Sequence, residues 1–290
     1  MKVVGYFTSW NEEIDIEKLK YEYLTHINYA FLIPKSDGSI VNLDKVKITK
    51  LINYAHKNNV KVYISVGGWC YEDKKLDTTF KKICDNKDTL DLFINNIIKL
   101  VKDFNFDGVD MDWEYPTEKY IKQYEYMLFN LKESLSKENK GLSIAIPPGI
   151  NVDGSITNIS AVTDKVLDIV DWINLMVYDN TKEQNHSSYK YAKLSLKYWL
   201  NIRGYNKDKI VLGVPFYTRP TNLLYSYIVE CNKENHNYDS YKSEFYNGIP
   251  TIKKKTKLAK EKCSGIMIWA LNYDTLDEYS LLKAINDELN

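Results

Sequence analysis

A run of closely spaced carboxylates, Asp-Gly-Val-Asp-Met-Asp-Trp-Glu at residues 107–114, is the part of the chain best suited to chemistry. Asp110, Asp112 and Glu114 lie two residues apart, so in a β-strand all three side chains face the same side. Such carboxylates cannot all ionise cheaply, and their pKa values are therefore expected to separate. A carboxyl group that keeps its proton can donate it to a leaving oxygen. The spacing alone fits hydrolase chemistry, a hydrogen-bonded acidic patch, or a divalent-metal site that uses two carboxylates.

The strand that carries this run favours the functional interpretation. A buried parallel strand is normally apolar on both faces, but here Val109, Met111 and Trp113 supply only one apolar face. Carboxylates on the inner face cost a large desolvation free energy, which a purely structural role does not justify. Glu114 stands at the carboxyl end of the strand, where barrel enzymes have their catalytic groups. Asp107 has the opposite parity and is expected to fix the start of the strand.

Short runs rich in β-branched and aromatic residues alternate with longer amphipathic patterns along the chain. The runs predicted as strands cover residues 3–9, 26–32, 61–66, 108–113, 142–146, 172–177, 210–216 and 265–270. The clearest helix covers residues 88–104; others begin near residues 44, 117, 158, 187, 249 and 275, and a short one lies around residues 74–84. This alternation predicts an α/β fold, a TIM (β/α)8 barrel in a single domain spanning residues 1–290. A doubly wound open sheet fits less well, because no Gly-rich phosphate loop follows the first strand.

The composition limits the classes of partner. Lys plus Arg and Asp plus Glu both total 39, so the formal net charge is zero, whereas a nucleic-acid binder should carry a basic excess. No stretch approaches about 18 consecutive apolar residues, so no membrane association is expected. The four cysteines form no Cys-x-x-Cys pair, and no metal site is expected. The N-terminal residues are strand-like and lack a signal-peptide core; if the chain is a mature fragment, we expect it to be extracellular.

Residues 106–116, Phe-Asp-Gly-Val-Asp-Met-Asp-Trp-Glu-Tyr-Pro, match every fixed position of a known motif, DGxDxDxE. In this the chain resembles glycoside hydrolase family 18, the chitinase family, which has that motif on the fourth barrel strand. The sequence Ser-Val-Gly-Gly at residues 65–68 resembles the family's SxGG, and Met-Val-Tyr-Asp at residues 176–179 resembles its MxYD. Residues 213–219 resemble the strand-seven segment, with Thr218 where Gly is common, and residues 265–269 resemble the end of strand eight. Several motifs in the family's order are far more specific than any one of them.

The resemblance implies a retaining chitinase without a cofactor, in which the 2-acetamido oxygen of the substrate attacks the anomeric carbon. Glu114 would protonate the glycosidic oxygen and later deprotonate the incoming water. Asp112 would orient the acetamido group, and Asp110 would share a proton with it. Tyr178 would donate a hydrogen bond to the acetamido oxygen. The implied partner is chitin or a chitooligosaccharide, and a monomer is expected.

The resemblance also implies roles for residues around the sugar. Asp179 would hydrogen-bond the sugar, Trp269 would form the floor beneath the −1 sugar, and Trp69 would be a platform at +1. Tyr6 and Ser65 would hydrogen-bond the innermost carboxylate. The remaining candidates for substrate binding are Met176, Phe31, Tyr217 and Arg219, the last of which could instead pair with a surface acid. For the four histidines only packing or surface roles are expected.

Two further expectations follow from the family. Larger members carry an α+β insertion between strands seven and eight, but here only about 45 residues separate Arg219 from Gly265, so residues 225–246 can be at most a reduced insertion. A shallower groove and endo-type or weakly processive cleavage are therefore expected. Non-proline cis peptide bonds are expected at Ala30–Phe31 and Trp269–Ala270.

Two other functions stay open at this point. An endo-β-N-acetylglucosaminidase acting on N-glycans or peptidoglycan would use the same chemistry, although glycan-cleaving enzymes often depart from the MxYD that Tyr178 and Asp179 complete here. A chitin-binding lectin would use the same barrel without cleavage. Such lectins typically lose the catalytic glutamate, and Glu114 is present.

Overall fold

Eight parallel strands form a closed barrel in the computed structural model, which describes residues 1–10 and 15–290. They are β1 (Lys2–Thr8), β2 (His26–Leu32), β3 (Lys61–Gly68), β4 (Gly108–Trp113), β5 (Gly141–Ile146), β6 (Trp172–Leu175), β7 (Ile210–Pro215) and β8 (Gly265–Trp269). Their order around the barrel is β1-β8-β7-β6-β5-β4-β3-β2. The predicted (β/α)8 barrel is confirmed.

The described α-helices are α1 (Lys45–Lys57), α2 (Leu76–Cys84), α3 (Lys87–Phe104), α4 (Ile121–Ser136), α5 (Asp164–Ile169), α6 (Tyr189–Lys197), α7 (Tyr225–Cys231), α8 (Ile249–Lys262) and α9 (Leu281–Leu289). Two of them begin later than the sequence predicted, α5 by about six residues from position 158 and α9 by about six from position 275. In both cases a hydroxyl caps the helix, since Thr163 accepts from the Val166 N–H and Ser280 from the Lys283 N–H. Within the described residues, no helix has the length and apolarity needed to cross a membrane.

One strand end and one helix start differ from the predicted positions, each for a local reason. The strand β6 ends at Leu175 rather than at residue 177, because the Val177 N–H turns back to donate to the Leu175 carbonyl at 2.9 Å. The short helix predicted around residues 74–84 begins only at Leu76. Lys74–Lys75 instead pair with Cys70–Tyr71 in a two-residue antiparallel hairpin.

The chain divides into two compact units, each assembled from separate stretches of sequence. Unit 1 contains Met1–Thr25, Pro147–Thr157 and Asn174–Asn290, and unit 2 contains His26–Ile146 and Asn158–Ile173. In unit 2, β4 pairs with β3 on one side and β5 on the other. In unit 1, β8 pairs with β1 and β7. Each unit therefore holds its own set of the predicted site residues.

The segment between β7 and β8 contains only small elements before α8. Helix α7 is followed by a 3-10 helix, Lys233–Asn237, and then by an antiparallel hairpin of Ser240–Tyr241 with Glu244–Phe245. We call this last element the insertion hairpin. The prediction of at most a reduced insertion is confirmed.

Candidate active site

The carboxylate run lies on β4 with the alternation that its spacing predicts. Asp110 and Asp112 are buried, with 0% and 3% relative exposure. On the opposite face, Trp113 stacks on Phe80 with ring centroids 5.0 Å apart and meets Tyr124 edge-on at 5.7 Å. Phe80 and Tyr124 belong to α2 and α4. One face of β4 therefore packs on helices while the other carries the acids.

Two serine hydroxyls hold the innermost carboxylate, Asp110. Ser65 Oγ donates to its Oδ2 at 2.9 Å, and Ser143 Oγ donates to its Oδ1 at 2.7 Å. Both serines are fully buried and lie opposite Asp110 in the neighbouring strands β3 and β5. The predicted contact of Ser65 with this carboxylate is confirmed. Both bonds favour the ionised form of Asp110.

Asp112 lies in the opposite situation, because its Oδ1 is buried without a hydrogen-bond partner among the described residues. Burial raises the pKa of Asp112 well above its ordinary value, and the negative charges of Glu114 and Asp110 raise it further. The backbone beside it is closely fitted. Gly67 in β3 has a φ of +119°, and a Cβ atom there would lie 2.2 Å from the carbonyl oxygen of Asp112. Asp112 is therefore a rigidly placed carboxyl group that holds its proton strongly and has a free acceptor atom.

Glu114 follows the last residue of β4 and is half-buried, so it joins the cluster at its solvent-accessible end. Its peptide bond to Tyr115 is cis, which the sequence did not indicate. The two non-proline cis bonds that were expected, Ala30–Phe31 and Trp269–Ala270, are both present.

Aromatic side chains of unit 2 lie near the ends of β2, β3 and β4. Trp69 is 49% exposed, with the Tyr115 ring 6.5 Å from its own ring and the Lys75 ammonium 4.7 Å from its centroid. Phe31 is buried, and its ring lies so close to Gly68 that a Cβ atom there would be 2.6 Å away. Trp69 thus offers an open ring face, whereas Phe31 is largely enclosed.

Asp107 immediately precedes β4 and is the first residue of the acidic run. Its Oδ2 accepts hydrogen bonds from the Val62 N–H at 2.7 Å and from His56 Nε2 at 2.8 Å. It therefore ties the start of β4 to β3, as predicted, and supports the fold rather than the site.

In unit 1, Asp179 is the centre of a second cluster. It adopts a left-handed backbone conformation with φ of +58°. Its Oδ1 accepts from the Tyr217 hydroxyl at 2.6 Å and from Arg219 Nε at 2.7 Å, and its Oδ2 accepts from Arg219 Nη2 at 2.6 Å. Arg219 thus makes a two-pronged contact with the carboxylate. The acid with which Arg219 pairs is itself a predicted sugar-binding residue.

These contacts fix the protonation of the cluster. Burial raises the pKa of Asp179, but the hydrogen bonds to it outweigh burial and hold the pKa well below its ordinary value. Burial also raises the pKa of Tyr217 well above its ordinary value, and the Asp179 charge adds to this. Asp179 is therefore an anion and Tyr217 a neutral hydrogen-bond donor.

The other predicted residues of unit 1 lie near the ends of β1, β6 and β8. Trp269 is half-buried, with the ring of the fully buried Tyr6 at 5.3 Å and that of Trp10 at 6.4 Å. The hydroxyl of Tyr178 lies 3.9 Å from the sulfur of Met267. Met176 is buried at 8% relative exposure. The hydrogen bond of Tyr6 to the innermost carboxylate stays a prediction.

Residues 2–274 match the sequence profile of the glycosyl hydrolases family 18. The chain belongs to this family. The order of its motifs and the barrel that carries them agree with this membership, and the resemblance inferred from residues 106–116 is confirmed.

Solved structures and curated proteins of family 18 extend the comparison. A chitinase from the chitin utilization locus of Flavobacterium johnsoniae is 29% identical, with a TM-score of 0.86 over 99% of this chain and 93% of that chain. A chitinase from Bacteroides thetaiotaomicron is 28% identical, with a TM-score of 0.82 over 99% of this chain and 96% of that one. Probable chitinase 10 of Drosophila melanogaster is 23% identical over 98% of this chain, but the chain spans only 16% of that protein's length.

Sequence reasoning missed one residue in each of the two clusters, Ser143 beside Asp110 and His186 beside Asp179. Ser143 is a polar residue inside the apolar strand Leu-Ser-Ile-Ala-Ile, a signal that could have revealed it. His186 is 2% exposed, its Nδ1 lies 3.2 Å from the Asp179 N–H nitrogen and 3.3 Å from Oδ1, and its ring packs on Tyr217 at 5.2 Å. No sequence pattern indicates this contact. The expectation of a mere packing role for this histidine is incomplete.

Metal ligation was one alternative for the acidic run. Among residues 1–10 and 15–290, no three His, Cys, Asp or Glu side chains are grouped so as to hold a metal ion. The four cysteines, Cys70, Cys84, Cys231 and Cys263, carry free thiols. The carboxylates of β4 are instead engaged with serines and with each other's charges.

Proposed function

We propose that this chain is a chitinase that hydrolyses β-1,4 bonds between N-acetylglucosamine units of chitin and chitooligosaccharides. The observation that carries the proposal is Asp112, a buried carboxyl group with a raised pKa and an unpartnered oxygen between Asp110 and Glu114. Membership of family 18 and the chitinases among its relatives support the same activity. If the chain is a mature fragment, the enzyme acts outside the cell, on a polymer too large to enter one.

The reaction proceeds with retention and without a protein nucleophile. Glu114 donates its proton to the glycosidic oxygen as the bond from that oxygen to C1 breaks. The carbonyl oxygen of the substrate's 2-acetamido group forms a bond to C1 and gives an oxazolinium ion. Water then attacks C1, Glu114 takes up its proton, and the bond from the acetamido oxygen to C1 breaks. Glu114 thus ends the cycle protonated, as it began.

Asp112 and Tyr178 prepare the acetamido group for this attack. The free Oδ1 of Asp112 accepts the acetamido N–H, which stabilises the positive charge that develops on nitrogen. Tyr178 donates to the carbonyl oxygen and holds it in line with C1. Asp110, which accepts hydrogen bonds from two serine hydroxyls, shares a proton with Asp112 during the cycle.

The remaining residues bind the sugar rings. Trp69 is half exposed and Trp269 is half-buried, and their aromatic rings suit the apolar faces of sugars. The Asp179 cluster, with its fixed anion and its neutral Tyr217 donor, binds sugar hydroxyls and amides. Met176 and Tyr6 of unit 1 and Phe31 of unit 2 make further contacts with the sugar.

The variant Glu114→Gln tests whether Glu114 is the general acid, with fluorogenic chitobioside and chitotrioside as substrates. The amide cannot donate a proton of suitable acidity, so kcat is expected to fall at least about 100-fold. Glu118→Gln is the matched control, because Glu118 is exposed in the following 3-10 helix. If Glu114→Gln cleaved the chitooligosaccharides at the wild-type rate, the assignment would be wrong.

A glycoprotein and peptidoglycan, assayed in parallel, separate the other candidate functions. Cleavage of either one without cleavage of chitooligosaccharides would favour the endo-β-N-acetylglucosaminidase. Binding of chitin by the wild type without any cleavage would favour the lectin.

The cleavage mode is endo, since the reduced insertion leaves few elements beside the substrate path. An early time course on chitohexaose with product analysis tests this mode. Internal cleavage products of several lengths are expected from the start. Release of disaccharide alone from chain ends, in long runs per encounter, would contradict endo cleavage.

A further inference from the structure

The insertion hairpin contains a buried carboxylate, Glu244, that the proposed mechanism does not use. Glu244 has a relative exposure of 5%. Its Oε2 accepts from the Thr218 hydroxyl at 2.5 Å and from the Thr221 N–H at 3.2 Å, and its Oε1 accepts from the Thr221 hydroxyl at 2.7 Å. Burial raises the pKa of Glu244, but these hydrogen bonds outweigh burial and lower the pKa below its ordinary value. Burying a carboxylate without a cationic partner costs free energy, which these hydrogen bonds offset.

What these contacts fix is the backbone on both sides of Arg219. Thr218 precedes Arg219, and Thr221 follows it by two residues. Phe245, next to Glu244, donates its N–H to the Arg219 carbonyl at 2.8 Å, and the Arg219 N–H donates to the Phe245 carbonyl at 2.9 Å. Two side-chain anchors and two backbone bonds thus hold a four-residue segment against the insertion hairpin.

The segment that is held in this way presents the guanidinium of Arg219 to Asp179. The bonds from Arg219 Nε and Nη2 to the carboxylate, at 2.7 Å and 2.6 Å, require a defined position of the arginine backbone. Arg219 is partly exposed, with 36% of its side chain accessible, and besides Asp179 its guanidinium contacts Asn222 Oδ1 and lies 5.4 Å from the centre of the Tyr217 ring. The insertion hairpin therefore influences the Asp179 cluster by holding the backbone of Arg219 in position.

We propose that Glu244 is a positioning residue that sets the affinity for substrate by fixing Arg219 against Asp179. This inference rests on the proposed chitinase function and extends it to a residue outside the reacting groups. Because Glu244 acts on a sugar-binding cluster and not on Glu114 or Asp112, its loss affects KM much more than kcat. Thr218 and Thr221 supply the two hydroxyl groups that make this anchor possible.

The test is a double-mutant cycle with Glu244→Ala and Arg219→Ala, measured as kcat and KM on chitotetraose. Glu244→Ala is expected to raise KM about tenfold, equivalent to about 1.4 kcal/mol, with kcat nearly unchanged. In the Arg219→Ala background the same substitution is expected to leave KM unchanged, because the residue through which it acts is gone. An equal rise of KM in both backgrounds, or no rise in either, would overturn the proposal.

Two more variants separate positioning from folding. Glu244→Gln keeps an acceptor for Thr218 and an amide group that can donate to the Thr221 hydroxyl, so KM is expected to return to within about twofold of wild type. Thr221→Val removes one anchor at an exposed position and is expected to raise KM in the same direction by a smaller factor, even if Glu244→Ala does not fold. A wild-type KM in Thr221→Val together with a tenfold rise in Glu244→Gln would contradict the role of these hydrogen bonds. Failure of the wild type to cleave chitotetraose would instead contradict the proposed function itself.

Discussion

The three carboxylates of β4 differ because their surroundings differ. Asp110 accepts two serine hydroxyls at 2.9 Å and 2.7 Å, which favour its anion. Asp112 is buried without a partner for Oδ1, and burial together with the two neighbouring charges raises its pKa. Glu114 stands at the accessible end. The carboxylates therefore form an electrostatically coupled group in which Asp112 keeps its proton to a higher pH than an ordinary aspartate does.

Replacing Asp110 by Asn is expected to shift the alkaline limb of kcat/KM to lower pH. The charge of Asp110 is one of the causes that raise the pKa of Asp112, so removing it lets the cluster lose its proton at lower pH. The amide can still accept from one serine and donate to the other. The measurement is kcat/KM on chitotrioside from pH 4 to pH 9, and Asp103→Asn, an exposed residue of α3, is the matched control. An alkaline limb that stays in place or moves to higher pH would show that Asp110 does not act through its charge.

At the scale of the elements, the sequence predicted most of the barrel because its strands are short apolar runs with clear ends. The fixed spacing of residues 110–114 and the neighbouring motifs also located the acids. Element starts such as those of α5 and α9 were less predictable, since they depend on single capping hydroxyls. Contacts between distant positions were out of reach, except that of Ser65 with Asp110, which the family motif implied. The bond from Arg219 to Asp179 joins residues 40 positions apart, and only the fold brings them together.

The close packing of β3 against β4 beside Asp112 leads to a prediction about stability. Gly67→Ala is expected to lower stability by about 3 kcal/mol or more and to lower activity, because a Cβ atom at 2.2 Å from the Asp112 carbonyl must push β3 and β4 apart. Gly154→Ala is the control, since Gly154 also has a positive φ, +87°, but has nothing within 4 Å of its Cβ position. That variant is expected to lose only about 1 kcal/mol through backbone strain. Urea unfolding measures both, and equal losses would show that the contact with Asp112 is unimportant.

Across the whole molecule the formal charges sum to zero, and several ionisable groups are buried with neutral hydrogen-bond partners. Lys255 of α8 is fully buried, and its ammonium donates to the Ser187 carbonyl at 2.5 Å, to the Ser187 hydroxyl at 2.7 Å and to Asn247 Oδ1 at 2.6 Å. Asp274 is also buried, and burial raises its pKa to about 6. Groups of this kind, rather than surface pairs, determine how the free energy of unfolding depends on pH.

Lys255 makes the protein more stable as the pH rises above neutrality. Burial lowers its pKa to about 7, and the charges of Asp239 and Glu183 oppose this shift without overcoming it. Between pH 7 and the ordinary lysine pKa of 10.5, the unfolded chain binds a proton that the folded protein lacks, so the free energy of unfolding increases by about 1 kcal/mol per pH unit. Urea unfolding of the wild type and of Lys255→Met from pH 7 to pH 9.5 measures this effect. The free energy of unfolding of the wild type is expected to rise relative to that of Lys255→Met as the pH increases. The exposed Lys254 on the same helix provides the control Lys254→Met, whose curve should run parallel to that of the wild type. A wild-type curve parallel to that of Lys255→Met would mean that Lys255 is folded with its proton, held by Ser187 and Asn247 as a buried cation.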